Sequence, residues 1–108
     1  MNALLLTGTA PTRARFSFEV FPARSGAAAL ALGNAVQHLA AAQPDFISVT
    51  YGANGSHRDA SLDLLRYLRD HSDALPLAHL TTVGEGREAV KAAIHGVIDS
   101  GVHDFLAL

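Results

Sequence analysis

Three short apolar segments each carry a polar residue able to do chemistry: Glu19 in FSFEVF, Thr50 in FISVTY and His79 in LAHLTTV. A carboxyl flanked by Phe18, Val20 and Phe21 should be desolvated, which disfavours its charged form and raises its pKa. Such a group can deliver a proton as a general acid. The plain alternative is a Glu paired with Arg15 or Arg24, or exposed at a sheet edge. His79, between Ala78 and Leu80, is either a hydrogen-bonded core histidine or a ring directed at a ligand. Thr50 suits a strand by propensity alone, and Tyr51 suits packing at a strand end. Gly52 to Ser56, which follow, are small and flexible enough to bring backbone N–H groups close to a ligand, although βα loops use such residues anyway.

Other chemistries find less support. Gly84-Glu85-Gly86-Arg87-Glu88-Ala89 matches the dinucleotide pattern G-x-G-x-x-A. That fingerprint also wants an acid at the far end of the next strand. Asp104 stands at the wrong end, and Glu85 and Glu88 would crowd a pyrophosphate. The histidines are not paired with one another at metal-ligand spacing, and neither a nucleophile elbow nor a P-loop occurs. The absence of cysteine excludes disulfides, thiolate metal sites and a cysteine nucleophile; a reducing cytoplasm fits best. A formal net charge of −2, with scattered basic residues, gives no footprint for a phosphate backbone, so no nucleic-acid partner is expected. Nor is a membrane: no apolar run approaches the ~20 residues that span a bilayer. The segment MNALLLTGTA lacks the basic and apolar stretches of a signal peptide.

The elements that must position the three residues follow from hydrophobic period and punctuation. Residues 1–14 read as an irregular lead-in, and residues 15–108 as one domain. Strands are expected at Arg15–Phe21, Phe46–Tyr51, Leu77–Val83 and Asp104–Leu108. Helices are expected at Gly26–Ala42 with Leu32, Val36 and Leu39 inward, at about Arg58–His71 with Leu62, Leu65 and Leu68 inward, and at Glu88–Ser100 with Val90, Ile94, Val97 and Ile98 inward. Ser56 and Asp59 have the spacing of a capping box before the second helix.

This β-α-β-α-β-α-β order calls for a parallel sheet with right-handed crossovers. The fold class is therefore α/β, and two architectures compete: a small open sheet, or the N-terminal half of a (β/α)₈ barrel. Ser17 and Glu19, Ser48 and Thr50, and His79 and Thr81 form a period-two polar stripe opposite Phe16, Phe18, Val20, Ile47, Val49, Ala78 and Leu80. A doubly wound sheet covers both faces with helices and has little use for such a stripe, whereas a barrel turns one face into a lumen with its active site at the strands' C-terminal ends. The pattern favours the barrel. A chain of 108 residues is short for a fold that usually takes about 250. A fragment is expected, one that oligomerises or needs its missing half.

In their order, FSFEVFPARSG, FISVTYGANGSHRD, PLAHLTTVG and DFLAL resemble the first four strands of the methylenetetrahydrofolate reductase family. The resemblance runs from about Phe16 to Leu108. It implies a flavin-dependent barrel that binds FAD, is reduced by NADH or NADPH, and converts 5,10-methylenetetrahydrofolate to 5-methyltetrahydrofolate. It also implies that Glu19 is the general acid that opens the methylene bridge. Thr50 would lie where nicotinamide and flavin meet, and Tyr51, Ala53 and His79 would touch FAD. The chain departs from the family pattern at Ala23, where a second proline is usual, at Asn54, where Gly is common, and at Gly86, where Ser often caps the helix. It lacks the Arg-Gly-Asp segment and later βα units, so the isolated chain is expected to be inactive. The alternative expectation is a non-catalytic half-barrel that self-associates or pairs with another chain.

Overall fold

The computed structural model describes residues 14–51, 58–82, 84 and 86–108. Seven elements alternate along the chain: β1 (Ser17–Val20), α1 (Gly26–Ala41), β2 (Phe46–Tyr51), α2 (Arg58–His71), β3 (Pro76–Leu80), α3 (Arg87–Asp99) and β4 (Phe105–Ala107). The four strands form one parallel sheet in the order β1-β2-β3-β4. Each strand lies beside its successor in sequence, the expected α/β arrangement and the one found in the first half of a (β/α)₈ barrel.

Local chemistry explains the element boundaries. Ser25 is extended (φ −145°) and its hydroxyl accepts the Ala28 N–H at 3.1 Å, capping the start of α1. Gln43, after the end of α1, takes φ 58°, a left-handed turn more often supplied by glycine. Pro44 follows it and could not have continued the helix. Gly86 caps α3 with extended backbone and no side-chain hydrogen bond. Gly101 turns the chain after α3 at φ 90°, a conformation that glycine adopts at no steric cost. Strands β1, β3 and β4 are shorter than expected. Beyond β3, however, Thr82 N–H still donates to Leu108 C=O at 2.8 Å and Leu108 N–H to Leu80 C=O at 3.0 Å, so the β3–β4 pairing runs on past the strand proper.

One continuous core binds the helices to one face of the sheet. Val20, Ile47, Val49, Ala78 and Leu80 pack with Val36 of α1, Leu64, Leu65 and Leu68 of α2, and Ala93 and Val97 of α3. Leu32, Leu39, Leu62, Val90 and Ile94 are half-buried at its margin. Two expectations need correction. Ile98 is exposed rather than inward: at about 100° per residue it falls a quarter-turn beyond Val97, past the edge of the buried arc. Leu64 is buried although the stripe omitted it, and Leu62 lies at the margin, since the buried arc of α2 is centred on positions 61, 65 and 68. No helix among the described residues is long and apolar enough to cross a membrane.

Candidate active site on the open face of the sheet

Parallel register decides which residues meet. Glu19 pairs with Ser48, Ser48 with Leu77, and Thr50 with His79. Because side chains alternate between faces, Glu19, Ser48, Thr50 and His79 share the face turned away from the helix-packed core. Ser17, Phe46, Leu77 and Leu106 hold the remaining positions on that face. Among β1, β2 and β3 the polar residues with reactive atoms rise toward the C-terminal ends, where barrel sites are built.

The three residues singled out from the sequence come together in space. Thr50 Oγ1 donates to Glu19 Oε2 at 2.6 Å, and His79 Nδ1 lies 3.3 Å from the same oxygen. The Glu19 side chain is 43% exposed and that of His79 16%. A proton on Nδ1 satisfies the carboxylate and leaves Nε2 with a lone pair. Among the described residues that buried Nε2 meets no hydrogen-bond partner, nor does Thr81 Oγ1 further along the same strand end. Tyr51 closes β2 in register with Leu80. Ala53 and Ser56 of the loop after β2 lie outside the described residues, and with Ser56 goes the expected capping box.

The ionisation of Glu19 runs opposite to expectation. Its pKa is lowered, chiefly by the hydrogen bond from Thr50; burial opposes this, and the His79 contact adds to it. The expected desolvation is present but outweighed, for a geometric reason. Phe18 and Val20 point to the helix-packed face, and Phe21 is 65% exposed, so the flanking apolar residues do not enclose the carboxyl. In this arrangement Glu19 is a carboxylate held by two donors, not a carboxyl already poised to give up a proton. The expected partners Arg15 and Arg24 take no part in the hydrogen bonds that converge on Oε2.

Ser61 is the residue that strand reasoning missed. It is fully buried in the first turn of α2, and its hydroxyl donates to the Thr50 carbonyl at 3.0 Å. A signal existed: Ser61, Leu65 and Leu68 stand at i, i+4 and i+7, so a hydroxyl occupies a position that helical period assigns to the core.

A parallel sheet in sequential strand order, with helices on one face and a polar cluster toward the strand C-termini on the other, has the arrangement of the first half of a (β/α)₈ barrel. The family model for methylenetetrahydrofolate reductase matches residues 6–108, and the chain belongs to that family. It is 30% identical over 96 residues to 5,10-methylenetetrahydrofolate reductase of Pectobacterium carotovorum, covering 89% of this chain and 32% of the relative. It is 29% identical over 92 residues to the protein of the same name from Escherichia coli K12, covering 85% and 31%. Against methylenetetrahydrofolate reductase (NADH) 1 of Zea mays it is 27% identical over 104 residues, covering 96% and 18%. The chain thus spans about a third of the length of these bacterial relatives.

Proposed function

We propose that this chain supplies the first four strands of a flavin-dependent methylenetetrahydrofolate reductase, in which NADH or NADPH is the reductant and 5,10-methylenetetrahydrofolate the substrate. The observation that carries the reading is the convergence of Thr50 and His79 on one oxygen of Glu19. Family membership adds to it, as does the likeness to a bacterial 5,10-methylenetetrahydrofolate reductase over most of this chain.

The residues present fit a flavin. His79 Nε2 and Thr81 Oγ1, buried and without partners among the described residues, carry the cost of unmade hydrogen bonds. A polar heterocycle edge supplies donors and acceptors that relieve it. Thr50, Tyr51, Ala53 and His79 are the residues we assign to contact with FAD. A bound flavin supplies the hydride relay between nicotinamide and folate.

Glu19 is the proposed proton donor. Thr50 and His79 orient the carboxyl through Oε2, which leaves Oε1 to hold the proton. Enclosure of the open face by ligand removes water from a group that is now 43% exposed. Desolvation already pushes its pKa upward, and enclosure strengthens that push. Glu19 then takes up a proton as the site fills and delivers it to a nitrogen of the methylene bridge, which opens to accept hydride.

The test uses the chain co-expressed with the remaining two-thirds of a bacterial relative. The expected complex is yellow, and its flavin is bleached by NADH or NADPH. Glu19→Gln keeps that bleaching and loses roughly 10²–10⁴-fold in folate reduction, the range for a general acid. Equal loss in both half-reactions overturns the acid role. A second reading, a non-catalytic half-barrel that pairs its open edges, draws on the 47% exposure of Leu106 and 64% of Leu108. It requires a colourless oligomer in the same experiment.

A further inference from the structure

The buried hydroxyl of Ser61 has no packing reason to be polar. It occupies the centre of the inward arc of α2, in line with Leu65 and Leu68, all three fully enclosed. An apolar residue there fills the space without a polar group to desolvate. What the hydroxyl does instead is reach the Thr50 carbonyl at 3.0 Å. The Thr50 side chain, on the opposite face of the sheet, donates to Glu19 at 2.6 Å. One residue is thereby held from both faces.

We infer that Ser61 is a positioning residue, which fixes the Thr50 backbone so that the Thr50 hydroxyl stays aimed at Glu19. The inference deepens the functional reading of this site and rests on it. The coupling is mechanical. A hydrogen bond to the Thr50 carbonyl restrains ψ at the end of β2. A β-branched side chain has few χ1 choices on a given backbone, so a fixed backbone narrows the directions in which the hydroxyl can point. Ser61 and Thr50 also stand on either side of the β2–α2 connection, so the same bond ties the last turn of strand to the first turn of helix. The titratable group facing Glu19 is His79, 3.3 Å away on β3; Ser61 touches neither.

The readout is the titration of the Glu19 carboxyl in the 108-residue chain, followed by ¹³C NMR. Only three glutamates need resolving, and the His79 ring is followed in parallel. Ser61→Ala is expected to move the Glu19 midpoint upward by on the order of half a pH unit, because the donor that favours its charged form is no longer held in place. Ser61→Thr keeps a hydroxyl and is expected to restore the wild-type midpoint. Leu64→Ala removes neighbouring core contacts without touching the hydroxyl and should leave the midpoint unmoved. If Ser61→Ala does not fold, Ser61→Cys takes its place, with a weaker donor and an intermediate upward shift. An unmoved midpoint in Ser61→Ala or Ser61→Cys, or an equal shift in Leu64→Ala, overturns the inference. Thr50→Val separates the two claims. If it shifts the midpoint while the Ser61 variants do not, the Thr50–Glu19 pair stands and the role of Ser61 falls. If Thr50→Val itself shifts nothing, the reading of the site fails as well.

Discussion

Glu19 shows how much a residue's behaviour depends on which way its neighbours turn. In the sequence it lies among Phe18, Val20 and Phe21; in the structure its partners are Thr50 and His79, 31 and 60 residues away. The alternation that puts all three on one face was legible from period two alone. The ionisation of Glu19 was not, because it depends on inter-strand register and on a 2.6 Å hydrogen bond that no local pattern encodes. Ser61 was missed for a related reason: its acceptor is a backbone carbonyl on another element. A carboxylate whose folded pKa lies below its unfolded value stabilises the fold above the unfolded value, and that contribution fades as pH falls through the folded one. The wild-type chain should therefore lose stability relative to Glu19→Gln as pH drops from the ordinary glutamate range through the lowered folded value. Urea midpoints measured across that window check the prediction, and a constant difference between the two proteins refutes it.

At the scale of elements, strand and helix order followed from punctuation and period, and β2 and α2 match their expected spans residue for residue. The discrepancies sit at strand ends and at the rim of helical stripes. Strand ends depend on which neighbour continues the ladder, as Thr82 and Leu108 do beyond β3. The stripe of α3 was drawn one residue too wide at Ile98. That difference has a measurable consequence. Leu65→Ala empties a fully enclosed position and should cost about 2–5 kcal/mol. Ile98→Ala, at 40% exposure, should change stability by about 0.5 kcal/mol or less, as surface substitutions do. Chemical denaturation of both variants reads the contrast; similar losses would mean that the inward arc of α3 is wider than its burial indicates.

For the molecule as a whole, the sheet has helices packed on one face and polar chemistry on the other, and its two outer strands are β1 and β4. An unpaired strand edge is a template for association, and Leu106 of β4 and Leu108 just beyond it are exposed apolar residues. Leu106→Lys places a charge on that edge strand, in register with His79. Where the chain self-associates through that edge, the added charge should shift it toward monomer in analytical ultracentrifugation while the far-UV spectrum is retained. An unchanged sedimentation profile would direct attention to the β1 edge. The barrel was legible at this scale because a one-sided polar stripe has no place in a doubly wound sheet.

Division of the sheet into two faces has a consequence for how such a protein can change. Residues 19, 50 and 79 can be exchanged without opening a hole among Val20, Val49, Ala78 and Leu80, which sit one step along the same strands. Innovation in reactivity and resistance to heat are thus written on alternate letters of the same short words, and a lineage could revise one while leaving the other intact.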